Sequence, residues 1–334
     1  MIQRNYQAQV TTIDSKQRDK SYFEVLEPRI WSNFNALIAY PIVCIYHTLH
    51  QLLYKIIYLL SMLPLGVLNV IERILYFLVF NVFHYRNNIV LQNLSRSFPE
   101  KSYAEINEIS KGFYKYFLTL FMEMFKMISI SEKQMLKQLH VINPQLLDEY
   151  SSQGRNIILM LGHYGNWESL NILPKYFSLD FYAVYKPLSN KFFDNVIKRM
   201  RSRFGMKLLP MDQAARFMLL NKEQSNAYIL ISDQSPTAEA KYSSVFLNQP
   251  TYLFTGVERL AKAINAVVIY AELNNTKKAH CWEVSFSVLT ETPMEEESFG
   301  ITQKFTKRLE QTINNNPSYW LWSHKRWKHK PQLS

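Results

Sequence analysis

Glycine and cysteine are scarce in this chain: of 334 residues only eight are glycine and two are cysteine. So little glycine excludes a collagen-like or linker-rich architecture. No G-x-x-x-x-G-K or G-x-G-x-x-G run is present to cradle a nucleotide phosphate. Cys44 and Cys281 are too few and too isolated for a disulfide framework or a thiolate metal site, and a reducing, cytoplasm-facing environment is the default. Charge is sparse too, at 19% of residues, whereas 48% are hydrophobic and Tyr and Phe number 21 each, which excludes intrinsic disorder. The charge that is present is unbalanced: 38 Lys+Arg against 27 Asp+Glu give a formal net +11. Such a surplus predicts a polyanionic partner, whether nucleic acid, an acidic protein or a phosphate-bearing membrane surface. The length suits one large catalytic domain plus an appendage.

Residues 1–30 are polar, with Arg4, Lys16, Arg18, Lys20 and Arg29 nearly balanced by Asp14, Asp19, Glu24 and Glu27, and they have no secretory-signal pattern. Ile30 to Tyr54 carries no formal charge, and after Lys55 a second uncharged run extends from Ile56 to Ile71. Glu72-Arg73 and a third run, Ile74 to Tyr85, come next. A spanning helix needs about 20 predominantly apolar residues. Because Pro41, His47, His50, Gln51 and Pro64 interrupt these runs, one imperfect span or interfacial helices fit better than two clean spans. Hydrophobic helices packed on a soluble domain would share the same pattern.

Apolar residues at helical spacing, as in Phe113, Phe117, Leu120, Phe121 and Met124, predict helices within 102–140. Short apolar runs at 157–161, 181–185, 227–231 and 267–271 then read as buried strands. Helical stretches at 166–176, 190–204, 213–220 and 252–264 are interspersed with them. This alternation predicts an α/β domain with a largely parallel sheet flanked by helices. Residues 282–289 alternate cleanly and read as a strand near an edge.

The chemistry concentrates in Asn156-Ile-Ile-Leu-Met-Leu-Gly-His-Tyr-Gly-Asn-Trp-Glu168, a strand running into a loop and a helix start. His163 and Glu168 form an H-x4-E pair. Eight histidines and 27 acidic residues in 334 yield about 0.65 such pairs by chance, so the context carries the weight. Gly162 and Gly165 flank the histidine, where a tight turn would place them. Residues five apart lie about 140° apart on a helix, so only a loop could bring His163 and Glu168 together. With Asn166 as the helix cap, Glu168 falls in the first turn. From there its carboxylate would accept a hydrogen bond from one imidazole nitrogen and leave the other as a general base. A satisfied histidine at a turn with a capping Glu after it is the equally open structural reading.

No G-x-S-x-G elbow supplies a serine nucleophile. A substrate hydroxyl attacking a thioester or ester carbonyl, in direct acyl transfer, is then the simplest chemistry. It needs donors where the oxyanion develops; Lys186 and the backbone amides at the Asn166 helix start are candidates, with a solvated loop charge as the alternative for Lys186.

Gly-His-Tyr-Gly-Asn-Trp-Glu resembles the histidine motif of the lipid A biosynthesis (late) acyltransferases, the lauroyl and myristoyl transferases of lipopolysaccharide assembly. The resemblance continues through Tyr-Lys-Pro-Leu-Ser-Asn at 185–190, Arg-Ser-Arg-Phe-Gly at 201–205, Asp-Gln at 233–234, Gly-Val-Glu-Arg-Leu-Ala-Lys at 256–262 and Pro-Ser-Tyr-Trp-Leu-Trp-Ser-His-Lys-Arg-Trp-Lys at 317–328. It implies a glycerolphosphate-acyltransferase-like domain at 91–334, a membrane-anchoring helical region at 31–90 and a polar tail at 1–30. It also implies an enzyme on the cytoplasmic face of the bacterial inner membrane that moves an acyl chain from acyl carrier protein to a hydroxyl of a phosphorylated glycolipid. No cofactor or metal is expected, since the carrier thioester is a co-substrate, and no nucleic acid.

By the same resemblance His163 and Glu168 are the catalytic pair, and Asn166, Lys186, Asn190, Arg203 and Asp233 are candidates for substrate or oxyanion binding. Lys186 stands where Arg is common in the family, and Lys offers a point charge instead of a planar fork. Asp233 could equally be a capping or structural residue. Trp320, Trp322 and Trp327, interleaved with His324, Lys325, Arg326 and Lys328, read either as interface anchors or as core residues docked from a final helix. Two other functions compete: O-acylation of another membrane lipid, and a non-catalytic basic protein binding membrane or nucleic acid.

Overall fold

A computed structural model describes residues 48–236, 240, 242–329 and 331. The polar tail and most of the first apolar run expected from the sequence lie outside these residues. Residues 48–61 form helix α1, of which residues 48–55 expose Leu49, Leu52 and Leu53. Ile56–Ser334 is one compact unit.

That unit opens with helical segments. The end of α1 is capped by Lys126, whose Nζ donates to the carbonyls of Ser61, Met62 and Leu63 at 2.9–3.3 Å; a cation suits the free carbonyls of a helix C-terminus. After Pro64 comes α2, Leu65–Tyr76, which runs on as a π-helical segment, Phe77–Val82. Together Leu65–Val82 is long and apolar enough to cross a membrane by length and composition. Helix α3 (Asn87–Ser97) and the 25-residue α4 (Tyr103–Met127) come next. Helix α4 starts at a capping box in which Ser102 and Glu105 satisfy each other's orphan backbone groups. A second box, Ser131 with Gln134, starts the short α5 (Glu132–Met135).

The sheet has the order β1-β9-β8-β2-β5-β3-β4. Its strands are β1 (Leu139–Val141), β2 (Ile157–Leu161), β3 (Asp180–Tyr185), β4 (Lys207–Pro210), β5 (Asn226–Ile231), β8 (Val267–Asn275) and β9 (Trp282–Thr290). Strands β8, β2, β5, β3 and β4 are mutually parallel, and only the β8–β9 pairing is antiparallel. Every residue of β2 is buried, as the central strand of a sheet covered on both faces requires. Helices α6 (Gln145–Ser152), α7 (Lys191–Ser202), α8 (Met211–Leu220), α9 (Gly256–Ala263) and α10 (Gly300–Asn315) link and cover the strands. A separate hairpin, β6 (Ser243–Phe246) and β7 (Gln249–Tyr252), turns through Leu247-Asn248 with φ of 48° and 57°, the pair of positive angles a two-residue hairpin favours.

The α/β class and the parallel sheet agree with the sequence reading, and the four predicted strands form, although in β3 only Phe181 is buried. Two predictions change in kind. The stretch 166–176 is a 3₁₀ helix, Trp167–Lys175, with Pro174 inside it. The final segment is not a helix: it is a series of turns after Tyr319. Its tryptophans nonetheless lie in the core, with Trp320 at 2%, Trp322 at 0% and Trp327 at 7% exposure. Buried indoles are neither interface anchors nor a platform for stacking on bases.

Candidate active site

Strands β2 and β5 are adjacent and parallel, with Leu161 opposite Ile231. The loops leaving the two strands therefore emerge side by side at the carboxyl edge of the sheet, where open α/β sheets place their sites. After β2 come Gly162 and His163; after β5 come Ser232, Asp233 and Gln234. The Ser232 N–H donates to the Leu161 carbonyl at 3.0 Å, so the register continues past the strand ends.

His163 and Asp233 meet there. The His163 backbone N–H donates to Asp233 Oδ2 at 2.7 Å, and Nδ1 lies 2.6 Å from Oδ1. The Trp320 indole N–H donates to the same Oδ2 at 2.8 Å. Burial by itself would raise the Asp233 carboxyl, but the His163 ring, the hydrogen bonds from His163 and that from Trp320 outweigh it and hold the group at about 2. An ionised Asp233 fixes the proton on Nδ1 and leaves Nε2 as an acceptor. Gln234 Nε2 lies 3.2 Å from His163 Nε2, and the His163 side chain keeps 16% of its surface against 2% for Asp233. The imidazole can therefore be reached at Nε2 while its carboxylate is sealed.

The loop is built for this contact. A Cβ on Gly162 would come within 2.7 Å of Leu309 Cδ1 and 3.0 Å of Asp233 Oδ2. Gly165 has φ +61°, and a Cβ there would lie 2.9 Å from both Leu273 Cβ and Trp282 Cζ3. The C-terminal turns clamp the loop from the other side: Gly165 N–H donates to Tyr319 O, Leu321 N–H donates to His163 O, and Tyr164 bridges Trp320. Trp167 packs edge-on against the His163 ring with centroids 4.9 Å apart.

The expected His163–Glu168 pairing does not form. Glu168 is 4% exposed and bound in bidentate fashion by Arg201 of α7, Nε to Oε2 at 2.8 Å and Nη2 to Oε1 at 2.5 Å. It also accepts the Trp167 indole N–H at 3.2 Å. The physical reason is topological: the first 3₁₀ turn aims Glu168 at α7, while the neighbouring strand presents Asp233 to the histidine. Trp167 links the two, its indole N–H donating to Glu168 and its ring packing on His163.

Other expected residues separate from the imidazole. Asn166 is buried and caps the 3₁₀ helix through Ser169 N–H, while its amide donates to Glu123 Oε2 at 2.7 Å. That cap consumes the Ser169 amide, one of the helix-start donors considered for an oxyanion. Asn190 caps α7, accepting from Phe192 and Phe193. Arg203 donates to Met127 O at 2.6 Å and so ties α7 to the end of α4. Lys186 is exposed in the loop after β3, on the same sheet edge as His163. Among the described residues no group of three or more His, Cys, Asp or Glu is placed to hold a metal ion.

The model of the family described as "Bacterial lipid A biosynthesis acyltransferase" matches residues 43–329, most of the chain. The chain belongs to that family. No individual curated protein matches it. The protein is therefore an acyltransferase of the lipid A biosynthesis family, and the residues gathered around His163 are its candidate catalytic group. In this acyltransferase, Arg201, Gln234 and the Glu123 carboxylate are site-supporting residues that the sequence reading did not single out, and Trp320, read there as an interface anchor or a core residue, supports the site as well. Arg201, Gln234 and Trp320 lie inside the family-like motifs at 201–205, 233–234 and 317–328, so the signal was there but the spacing could not assign it. Glu123, an acid on the buried side of α4, had no motif around it.

Proposed function

We propose that the protein transfers a fatty acyl chain from acyl carrier protein to a hydroxyl of a lipid A precursor, with His163 as general base and Asp233 as its orienting anion. The observation that carries the reading is the partly exposed His163 ring, fixed at Nδ1 by a buried carboxylate and with Nε2 turned toward the Gln234 amide. In the step this supports, the acceptor hydroxyl displaces the Gln234 amide from Nε2 and gives Nε2 its proton. Its oxygen attacks the thioester carbonyl. The tetrahedral intermediate collapses with loss of the carrier thiolate, which takes the proton back from the imidazolium. No acyl-enzyme is needed, and the ester formed and thioester broken balance.

The reading also places the enzyme at the cytoplasmic face of the inner membrane. Val67, Val70, Ile74 and Phe77 form an exposed apolar stripe along α2 and the π segment. The opposite side of α2 packs on α4, where Leu68 is buried and Thr119 donates to Glu72 at 2.7 Å. A helix laid along the α/β unit in this way suits a bilayer surface better than a full crossing. The +11 net charge suits both an acidic carrier and a phosphorylated headgroup.

The test is transfer from acyl-carrier-protein thioester to lipid A precursor by purified enzyme, beside mass spectrometry of total lipids with and without the gene. His163→Ala should lower turnover by about 10² to 10⁴-fold while leaving the fold intact. Undiminished turnover in that variant would remove the base. A missing acyl group in another lipid with unchanged lipid A would transfer the chemistry to a different acceptor.

A further inference from the structure

Beneath the catalytic loop lies a second imidazole–carboxylate pair that the transfer step does not use. Glu123, 5% exposed in α4, gathers three donors. The Asn166 amide reaches Oε2 at 2.7 Å, the Trp282 indole N–H reaches the same oxygen at 2.9 Å, and His280 Nδ1 lies 3.1 Å from Oε1. On its far side His280 Nε2 lies 3.1 Å from Asn69 Oδ1 of helix α2. Both ring nitrogens thus face acceptors, and only the doubly protonated ring donates to both. Consistently, the hydrogen bond to Glu123 raises the His280 ring above its ordinary value despite burial. His280 sits in the turn between β8 and β9 at φ 58°, a left-handed conformation that costs a non-glycine residue.

The carboxylate holds the loop from two directions. Through Asn166 it fixes the cap that starts the 3₁₀ helix, hence Trp167, whose ring packs on His163. Through Trp282 it fixes the wall that Gly165 abuts. Earlier on the same helix, Tyr116 donates to the Gly165 carbonyl at 2.8 Å.

We propose that Glu123 is a positioning residue for the catalytic loop, and that His280 is the largely buried cation that holds Glu123 in place and ties it, through Asn69, to the apolar helix α2. Without a cation beside it, the carboxylate would be buried against neutral donors alone, at an energetic disadvantage that a paired imidazolium offsets. The inference rests on the reading of His163 as base, but the loop geometry can be measured independently of activity.

The test compares wild type with Glu123→Gln, His280→Gln and the double variant, by kcat, by KM for the acyl donor, and by hydrogen exchange of peptides covering 162–170. Glu123→Gln should lower kcat at least tenfold with KM within threefold, and should speed exchange of the loop while leaving β2 protected. The double variant should recover at least threefold of the kcat lost in Glu123→Gln, because it removes both partners of the buried pair. Trp282→Phe, which deletes one of the three donors to Glu123 together with part of the ring that faces Gly165, should also lower kcat and speed loop exchange, and guards against a Gln variant that fails to fold. Unchanged loop exchange in the folded variants, or a kcat equal to wild type, would overturn the inference. Wild-type protein that transfers no acyl chain would instead overturn the functional reading, and loop exchange would still decide the role of Glu123.

Discussion

Asp233→Asn tests the dyad most directly, because the substitution keeps the shape while it removes the negative charge and changes which atoms donate. Three donors converge on this carboxylate: the His163 N–H and Trp320 indole on Oδ2, and His163 Nδ1 on Oδ1. An amide has one oxygen. The two donors whose protons cannot move, a backbone N–H and an indole N–H, claim that oxygen, so the NH₂ group turns toward Nδ1. His163 must then accept at Nδ1 and carry its proton on Nε2, the tautomer that cannot take a proton from a hydroxyl. The expected loss in kcat is that of a general base, about 10² to 10⁴-fold, or roughly 3 to 5 kcal/mol of barrier. KM should change little, since no substrate contact is removed. Single-turnover transfer of a labelled acyl chain, with circular dichroism to confirm the fold, measures this. A variant within threefold of wild-type kcat would refute the assignment of Asp233 as orienting anion.

Glu168→Gln should act mainly on stability: it leaves Arg201 facing a neutral amide in a largely buried site, at a cost of about 1 to 3 kcal/mol in urea unfolding, with kcat per folded enzyme lowered less than tenfold. A kcat loss as large as that of His163→Ala would restore Glu168 to the chemistry. Gly165→Ala should destabilise by roughly 1 to 3 kcal/mol, because φ +61° and the 2.9 Å approach of Trp282 both oppose a Cβ; a melting temperature equal to wild type would contradict it. Stability should also fall with acid in two stages. Burial lowers His324 to about 4, so the unfolded chain binds that proton first and stability declines as pH drops from about 6.5 toward 4. Asp233, held at about 2, contributes stability above about pH 4 that is lost as pH falls through 2. A urea midpoint flat between pH 6.5 and 4 would contradict the first stage.

Much of the frame was legible in the sequence because its signals are local. The all-apolar run at 157–161 fits a strand covered on both faces, and the glycines beside His163 announce a turn that side chains cannot enter. The elements without a clear signature have weak local signals. Strand β1 is three residues long, β4 ends in Pro210, and the β6–β7 hairpin turns on Leu247-Asn248 without the glycine that usually marks such a turn. The tryptophan-rich terminus was ambiguous for another reason: alternating aromatic and basic residues describe a membrane interface and a buried clamp equally well. The burial of the three indoles and the backbone pairing of 319–321 with 163–165 separate the two.

The partner of the histidine could not be read from the chain because proximity in sequence is a poor guide to proximity in space. Glu168 lies five residues from His163, and Asp233 seventy. In a parallel sheet, however, the side chains that meet are those at the carboxyl ends of neighbouring strands, and which strands are neighbours depends on crossovers that leave no trace in the pattern of either strand. Once β5 is placed beside β2, a loop that leaves each strand within two residues must bring position 163 against position 233. Glu168 is then free for a different task, clamping the 3₁₀ helix to α7 through Arg201. The H-x4-E spacing in this chain therefore joins two functions: a histidine that the sheet arms with an aspartate, and a glutamate that holds the surface against which the imidazole packs.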